Sequence, residues 1–308
     1  YQIREMMFGY RDEFPYFECS QCGCLQIAKI PFDIAKYYPK KYYSFQLVDD
    51  HPRERAKMLA KKLRCRYAVY GRGLIGRTIW RMFPSAVALK SLRKLDIGES
   101  CRILDVGCGS GHLLYELHTA GFRNVLGIDP YIDRDIHYRN GVTILKRTIH
   151  EVGSGWDLVM FHHSFEHIAD PLETLRHCSK ILTLNGCCLI RIPTVSSYAW
   201  RRYGANWVQL DAPRHFFLYS ISSLKILAAR AGLRLHDVIY DSTEFQFWAS
   251  EQYVQDIPLT SERSYLNNPS NSIFSSSQIE CFWQQANLLN VQKDGDQAAF
   301  YLRKLIDL

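Results

Sequence analysis

The sequence contains no apolar run approaching the roughly 18 to 20 residues that a membrane-spanning helix needs. Its first residues, Tyr1-Gln2-Ile3-Arg4-Glu5, lack the apolar core of a secretory signal. These absences predict a cytoplasmic protein with no membrane partner. There is no internal repeat, which argues against a solenoid. A continuous basic stripe and a recognisable RNA-binding module are also missing. The formal charge of +7 therefore favours an anionic small-molecule partner over nucleic acid. The densest basic stretch, Lys57 to Arg66, reads as the solvated face of an amphipathic helix. A disulfide framework is not expected either. Of the ten cysteines, Cys101, Cys187 and Cys188 sit inside apolar runs, where a reduced thiol acts as a small hydrophobe.

What is present suits a packed α/β protein. With 47% hydrophobic and 22% charged residues, the composition is that of a globular chain. At 308 residues there is room for one large core with appendages. Residues 1–50 are rich in Tyr and Cys, and 51–96 read as a helical connector or lid. Residues 97–245 alternate short β-rich runs with helical stretches, the pattern of a parallel sheet covered by helices on both faces. Seven strands are predicted, at 101–106, 124–129, 141–146, 156–161, 186–192, 234–241 and 297–303. Helices are expected to start near Gly111, Asp170 and Ser220. Within 246–308, a polar stretch at about 245–295 reads as an insertion outside the core, with one helix near 277–290. The final strand then completes the sheet. The fold class is thus a Rossmann-like, seven-stranded, mostly parallel sheet with N-terminal and C-terminal appendages. The oligomeric state is left open.

The sharpest signal is Ile103-Leu104-Asp105-Val106-Gly107-Cys108-Gly109-Ser110-Gly111-His112, an apolar strand entering a glycine-rich turn and then a helix. Glycine lacks Cβ and tolerates positive φ, so Gly107 and Gly109 permit close approach by a nucleoside cofactor. Twenty-two positions beyond Gly107, the strand Asn124-Val125-Leu126-Gly127-Ile128 ends in Asp129, an acceptor for ribose hydroxyls. A second glycine pattern, Gly71-Arg72-Gly73-Leu74-Ile75-Gly76, has Asp96 downstream but no surrounding βαβ unit. It is read as a decoy.

The Asp-x-Gly-x-Gly-x-Gly form at 105–111 resembles the first motif of class I S-adenosylmethionine (SAM)-dependent methyltransferases. That resemblance implies SAM as cofactor. Asp105 would orient its methionine end, Gly107, Cys108 and Gly109 would line it, and Asp129 with Pro130 would hold the ribose. Thr148 and Ile149 would meet the adenine. The run His162-His163-Ser164-Phe165-Glu166-His167-Ile168-Ala169-Asp170-Pro171 is similar to the ubiquinone-biosynthesis type of methyltransferase. It places His163 toward cofactor or acceptor, with Glu166 and His167 serving either the site or the helix entry. Asp211-Ala212-Pro213-Arg214-His215 resembles a segment of sugar-modifying and polysaccharide-modifying methyltransferases. There Arg214 would pair an anionic acceptor and His215 would take a hydroxyl proton, the alternative being a buried turn tied by the same groups.

The same relatives carry an N-terminal zinc knuckle and a tyrosine-rich linker, matched by Cys19-Ser20-Gln21-Cys22-Gly23 and by Tyr37-Tyr38-Pro39-Lys40-Lys41-Tyr42-Tyr43-Ser44-Phe45. A structural zinc site wants four ligands. Cys19 and Cys22, even with Cys24, fall short of that unless a second pair precedes Tyr1, so zinc is expected here at most at an incomplete site. The tyrosine run is either a lid over the cofactor or plain aromatic packing. The expected function is methyl transfer to a small, anionic or sugar-containing acceptor, with RNA methylation or non-catalytic SAM binding as alternatives.

Overall fold

The structure, a computed structural model, describes residues 1–39, 42–51, 54–84 and 87–305. Lys40 and Lys41 of the tyrosine-rich run lie outside the described residues. Three short strands open the chain: β1 (Gln2–Arg4), β2 (Glu13–Glu18) and β3 (Leu25–Ile27). Two helices follow, α1 (Arg55–Tyr70) and α2 (Leu74–Met82). The core then runs β4 (Ile103–Val106), α3 (His112–Ala120), β5 (Val125–Ile128), β6 (Ile136–His137), β7 (Thr143–Leu145), β8 (Trp156–His162), α4 (Pro171–Ile181) and β9 (Leu182–Pro193). After it come α5 (Tyr198–Tyr203), β10 (Phe217–Leu218), α6 (Ile221–Arg230), β11 (Leu233–Tyr240), α7 (Phe245–Val254), α8 (Ser276–Val291) and β12 (Gln297–Lys304).

The main sheet has the order β11-β12-β9-β8-β4-β5-β7-β6. Each of the seven predicted strands has a counterpart in it. Among the described residues the sheet holds eight strands rather than seven, because the two-residue β6 pairs antiparallel with β7 at the edge. Strands β7, β5, β4, β8 and β9 are parallel, so their carboxyl ends share one edge. Along β8 the side chains alternate between faces. Val159 and Phe161 join a cluster with Leu175, Cys178 and Leu224 from α4 and α6. Leu158 and Met160 join the opposite cluster with Cys65, Leu114 and Leu117 from α1 and α3.

Helix starts follow the capping residues. The Asp170 carboxylate accepts from the Glu173 amide with Pro171 in the first turn, and the Ser220 hydroxyl accepts from the Ser223 amide. The glycine pattern at 71–76 belongs to a helical corner, since Gly71 closes α1 with φ +68° and α2 begins after Gly73. A helix, α1, rather than a strand leads into it.

A second core gives the largest departure from the sequence expectation. Phe247, Trp248, Ala249 and Tyr253 of α7 are buried with Trp207, Ala286 and Leu289, although 245–295 was read as polar and outside the core. The N-terminal strands reach the same cluster. They form an antiparallel sheet of order β1-β2-β3-β10, whose last strand comes from residues 217–218. That pairing brings the first residues beside the 211–215 turn.

Candidate active site

Asp105 is the penultimate residue of β4 and is buried at the carboxyl edge of the sheet. Burial and the nearby charge of Asp129 push its carboxyl up to about 8. Its Oδ1 has no hydrogen-bond partner. Gly107 (φ +71°) and Gly109 (φ +56°) turn the chain above the strand ends. A Cβ on Gly107 would lie 2.5 Å from the Ser164 Cβ, and one on Gly109 would lie 2.2 Å from the Ser44 carbonyl oxygen. Cys108, half-buried, donates its amide to the Ile128 carbonyl. The Asp129 carboxylate accepts from the Gly109 amide at 2.9 Å and from the Tyr131 amide at 2.8 Å. Each oxygen keeps further acceptor capacity. Burial raises this carboxyl, against the two amides. Pro130 is exposed beside it, while Ile149 is buried and Thr148 caps the short turn 149–151. The expected cofactor residues therefore lie on one edge of one sheet.

A strap from the N-terminal segment crosses that loop. The Ser44 carbonyl accepts from the Ser110 amide at 2.8 Å, and the Gln46 carbonyl accepts from the Ser110 hydroxyl at 2.6 Å. Tyr115 donates its hydroxyl to Asp50. Of the two expectations for the tyrosine run, Tyr42 and Tyr43 show aromatic packing at 4.7 Å between ring centroids. The Tyr38 hydroxyl reaches His167 Nδ1 at 3.2 Å.

Beyond β8 lies a group of imidazoles around one carboxylate. Glu166 is fully buried and neither carboxylate oxygen has a hydrogen-bond partner. His163 Nδ1 stands 3.6 Å from it and His215 Nε2 stands 3.8 Å away. Burial works to raise the Glu166 carboxyl, but the approach of His163 and the charges of His167 and His215 hold it at about 2. His167 donates Nδ1 to the Arg214 carbonyl, and His215 donates Nδ1 to the Gln209 carbonyl, both at 2.7 Å. In the neutral rings Nε2 is then the bare nitrogen. Burial lowers His167, which favours that neutral form. Glu166, His167 and His215 bring donor atoms within 4.8 Å of one another. A carboxylate and two imidazoles so grouped suit a shared proton or a divalent cation of the zinc type.

His163 has φ +50°, unusual for a residue with a side chain. Its Nε2 accepts from Arg191 Nη1 at 2.8 Å, because Arg can only donate, so the ring proton belongs on Nδ1, toward Glu166. Arg191 in turn is held by Asp241 at 2.6 Å. Neither Arg191 nor Asp241 was singled out from the sequence. The available signal was a guanidinium inside the apolar run 187–192, which a buried strand tolerates only when paired.

Arg214 is placed differently from the expectation of an acceptor-pairing cation. Its side chain is fully buried and bonded to Asp211 through both carboxylate oxygens, to Glu5, and to the Tyr37 carbonyl. Four of its five N–H groups are engaged within the protein, so it ties the 211–215 turn to the N-terminal segment. Cys19 and Cys22 face each other across the turn between β2 and β3. Backbone amides of Cys22 and Gln21 lower the Cys19 thiol, whereas burial pushes Cys24 up to about 12. Among the described residues no third His, Cys, Asp or Glu joins the pair, and the only such group of three is Glu166, His167 and His215. The two cysteines alone do not fit a four-ligand zinc site.

A parallel sheet carrying an acidic strand end, a glycine loop and a second acidic strand end defines a SAM-dependent methyltransferase domain. Residues 67–238, more than half of the chain, match the family described as a methyltransferase domain, and the chain belongs to that family. It is similar to the ubiquinone biosynthesis O-methyltransferase of Maricaulis maris, with 27% identity over 54% of this chain and 72% of that protein. The protein of the same description in Azorhizobium caulinodans is 30% identical over 41% of this chain and 53% of its own length. A tRNA U34 carboxymethyltransferase of Campylobacter jejuni is 22% identical over 53% of this chain and 58% of that one. The chain thus spans only about half the length of several of these relatives. Among solved structures, a SAM-dependent methyltransferase from Thermotoga maritima, described as a possible histamine N-methyltransferase, matches with TM-score 0.44 and 15% identity. That match covers 78% of this chain and all of the other.

Proposed function

We propose that the protein transfers the SAM methyl group to a hydroxyl of a small, sugar-like acceptor. The observation that carries this reading is the unpartnered, buried Glu166 carboxylate ringed by His163, His167 and His215, on the sheet edge that holds the glycine loop. Methyl transfer is an in-line displacement at a sulfonium, so positioning supplies much of the rate, up to about 7–11 kcal/mol in well-oriented systems. A hydroxyl acceptor must also lose a proton. His215 Nε2, bare in the neutral ring and 3.8 Å from the Glu166 carboxylate, is placed to take it. His163 faces the same carboxylate, with its tautomer set by Arg191. Arg214 acts from behind, holding the turn that presents His215, so an anionic acceptor would draw on other cations. The relatives named as O-methyltransferases and the likeness of 211–215 to sugar-modifying enzymes support the choice of acceptor. When bound, SAM supplies the electrophilic methyl group, and Asp105, Gly107, Gly109 and Asp129 are the residues that would hold it.

The test is transfer of labelled methyl from SAM to a panel of hydroxylated acceptors, including free and nucleotide-linked sugars. His215→Ala and Glu166→Gln should each reduce transfer about 100-fold or more, while affinity for the demethylated cofactor stays within about threefold. Full activity in both variants would overturn this assignment. Loss of transfer on chelation, restored by zinc or manganese, would assign the Glu166, His167 and His215 group to a cation instead of a proton.

A further inference from the structure

Between Arg55 and Leu95 the chain carries twelve Lys and Arg and no Asp or Glu, so this one segment holds more than the whole net charge of +7. Helix α2 lies in its middle. Gly76 seats α2 against α1, since a Cβ there would lie 2.4 Å from the Leu63 carbonyl oxygen, and Trp80 packs on Tyr67 from the same side. Helical spacing then turns Thr78 directly away from α1, with Leu74 on one side of it and Met82 and Ile75 on the other. Their exposure agrees: Leu74 is 80% exposed, Ile75 67% and Met82 60%, with Phe83 at the helix end 63% exposed. On α1, Met58 and Leu59 are also exposed. Arg72, Arg77 and Arg81 flank this apolar face. They are exposed, and their guanidinium groups make no hydrogen bond or ion pair among the described residues.

We propose that the outer face of α2 docks on an anionic phospholipid surface, with Leu74, Ile75, Met82 and Phe83 entering the interface and Arg72, Arg77 and Arg81 reaching lipid phosphates. An amphipathic helix with large apolar residues on one face and only cations beside them is the arrangement that lies in a bilayer interface. Acid-free basic residues add attraction to anionic lipid. A nucleic acid would satisfy the arginines but leave four large aliphatic and aromatic side chains in water, so the apolar content favours lipid. The sequence expectation of no membrane partner rested on the absence of a spanning segment, and a helix lying on the surface needs none. This proposal is independent of which acceptor is methylated.

The experiment is co-sedimentation of the full chain with vesicles of phosphatidylcholine alone and with a third of phosphatidylglycerol, at physiological ionic strength. The wild type should bind only the anionic vesicles. A combined Leu74→Ser, Ile75→Ser, Met82→Ser and Phe83→Ser variant should bind at least about tenfold more weakly, and so should Arg72→Gln, Arg77→Gln, Arg81→Gln. Both variants should keep the wild-type circular dichroism and affinity for the demethylated cofactor, because all seven side chains are exposed. Absence of binding to the anionic vesicles would overturn the proposal. So would unchanged binding by the serine variant, or release from vesicles by an RNA that the serine variant binds equally well. A shift of the serine variant from dimer to monomer without lipid would reassign the face to a second copy of the chain.

Discussion

Asp129 and Asp105 sit on neighbouring strand ends, and their environments make different demands. Asp129 already accepts two backbone amides, so its carboxylate is oriented before any ligand arrives. A charge-assisted hydrogen bond contributes roughly 1.5–3 kcal/mol. Asp129→Ala should therefore weaken SAM binding by at least about tenfold in calorimetry, and unchanged affinity would remove it from the ribose role. Asp105, raised to about 8 by burial and by Asp129, holds its proton near neutral pH. The arrival of a cationic methionine end would favour the ionised form and release that proton. Calorimetry in buffers of different ionisation enthalpy should show up to one proton released per SAM bound at neutral pH. Asp105→Asn should abolish the release.

Two elements hold the site from outside the sheet. The strap at 42–50 rests on Gly109, whose missing Cβ makes room for the Ser44 carbonyl. Gly109→Ala would cost roughly 1–2 kcal/mol in left-handed backbone alone, and it would also push the strap off. Amide exchange at 42–50 should then accelerate and SAM affinity should fall. Unaltered exchange there would show that the close approach is incidental. The 211–215 turn is held by Arg214, whose carboxylate partners Glu5 and Asp211 are themselves buried or nearly so. Arg214→Ala leaves both without their cation, and removing one partner of a buried pair costs about 3–5 kcal/mol. The expected result is a large stability loss by denaturant unfolding, together with increased exchange in β1. A variant of wild-type stability and reduced transfer would instead return Arg214 to the acceptor.

At the scale of the molecule, the two cores meet at carboxylates that ionise unusually easily. Burial raises both Glu166 and Asp211, but His163, His167 and His215 hold Glu166 at about 2, and Arg214 holds Asp211 at about 2. A carboxyl with a depressed folded value contributes stability that is present above its unfolded value. That stability is lost as pH falls through the folded value. From ordinary values of 4.5 and 3.8, the window runs from about pH 4.5 down to about pH 2. Denaturant unfolding followed across that window should show a steep loss of stability, made shallower by Glu166→Gln. An unchanged slope in that variant would separate Glu166 from the acid transition.

The sequence by itself determined the sheet and the cofactor loop. Strand, glycine turn, helix and acidic strand end fall within 103–129, and each is specified by neighbours a few residues away. Periodicity and capping therefore report them directly. The same locality made α8 legible, and the structure adds its Ser275 and Gln278 capping pair. Helix α7 was hidden because Gln246, Ser250 and Gln252 are polar residues that burial retains inside the second core. Only the tertiary structure decided what Arg214 does, since its partners Tyr37 and Glu5 lie 177 and 209 positions away. It likewise decided that β10 completes a sheet begun at residue 2, and that Arg191 sets the His163 tautomer. A side chain's chemistry is written in its own residue, but whether its donors meet solvent, ligand or protein depends on packing between segments far apart in the chain.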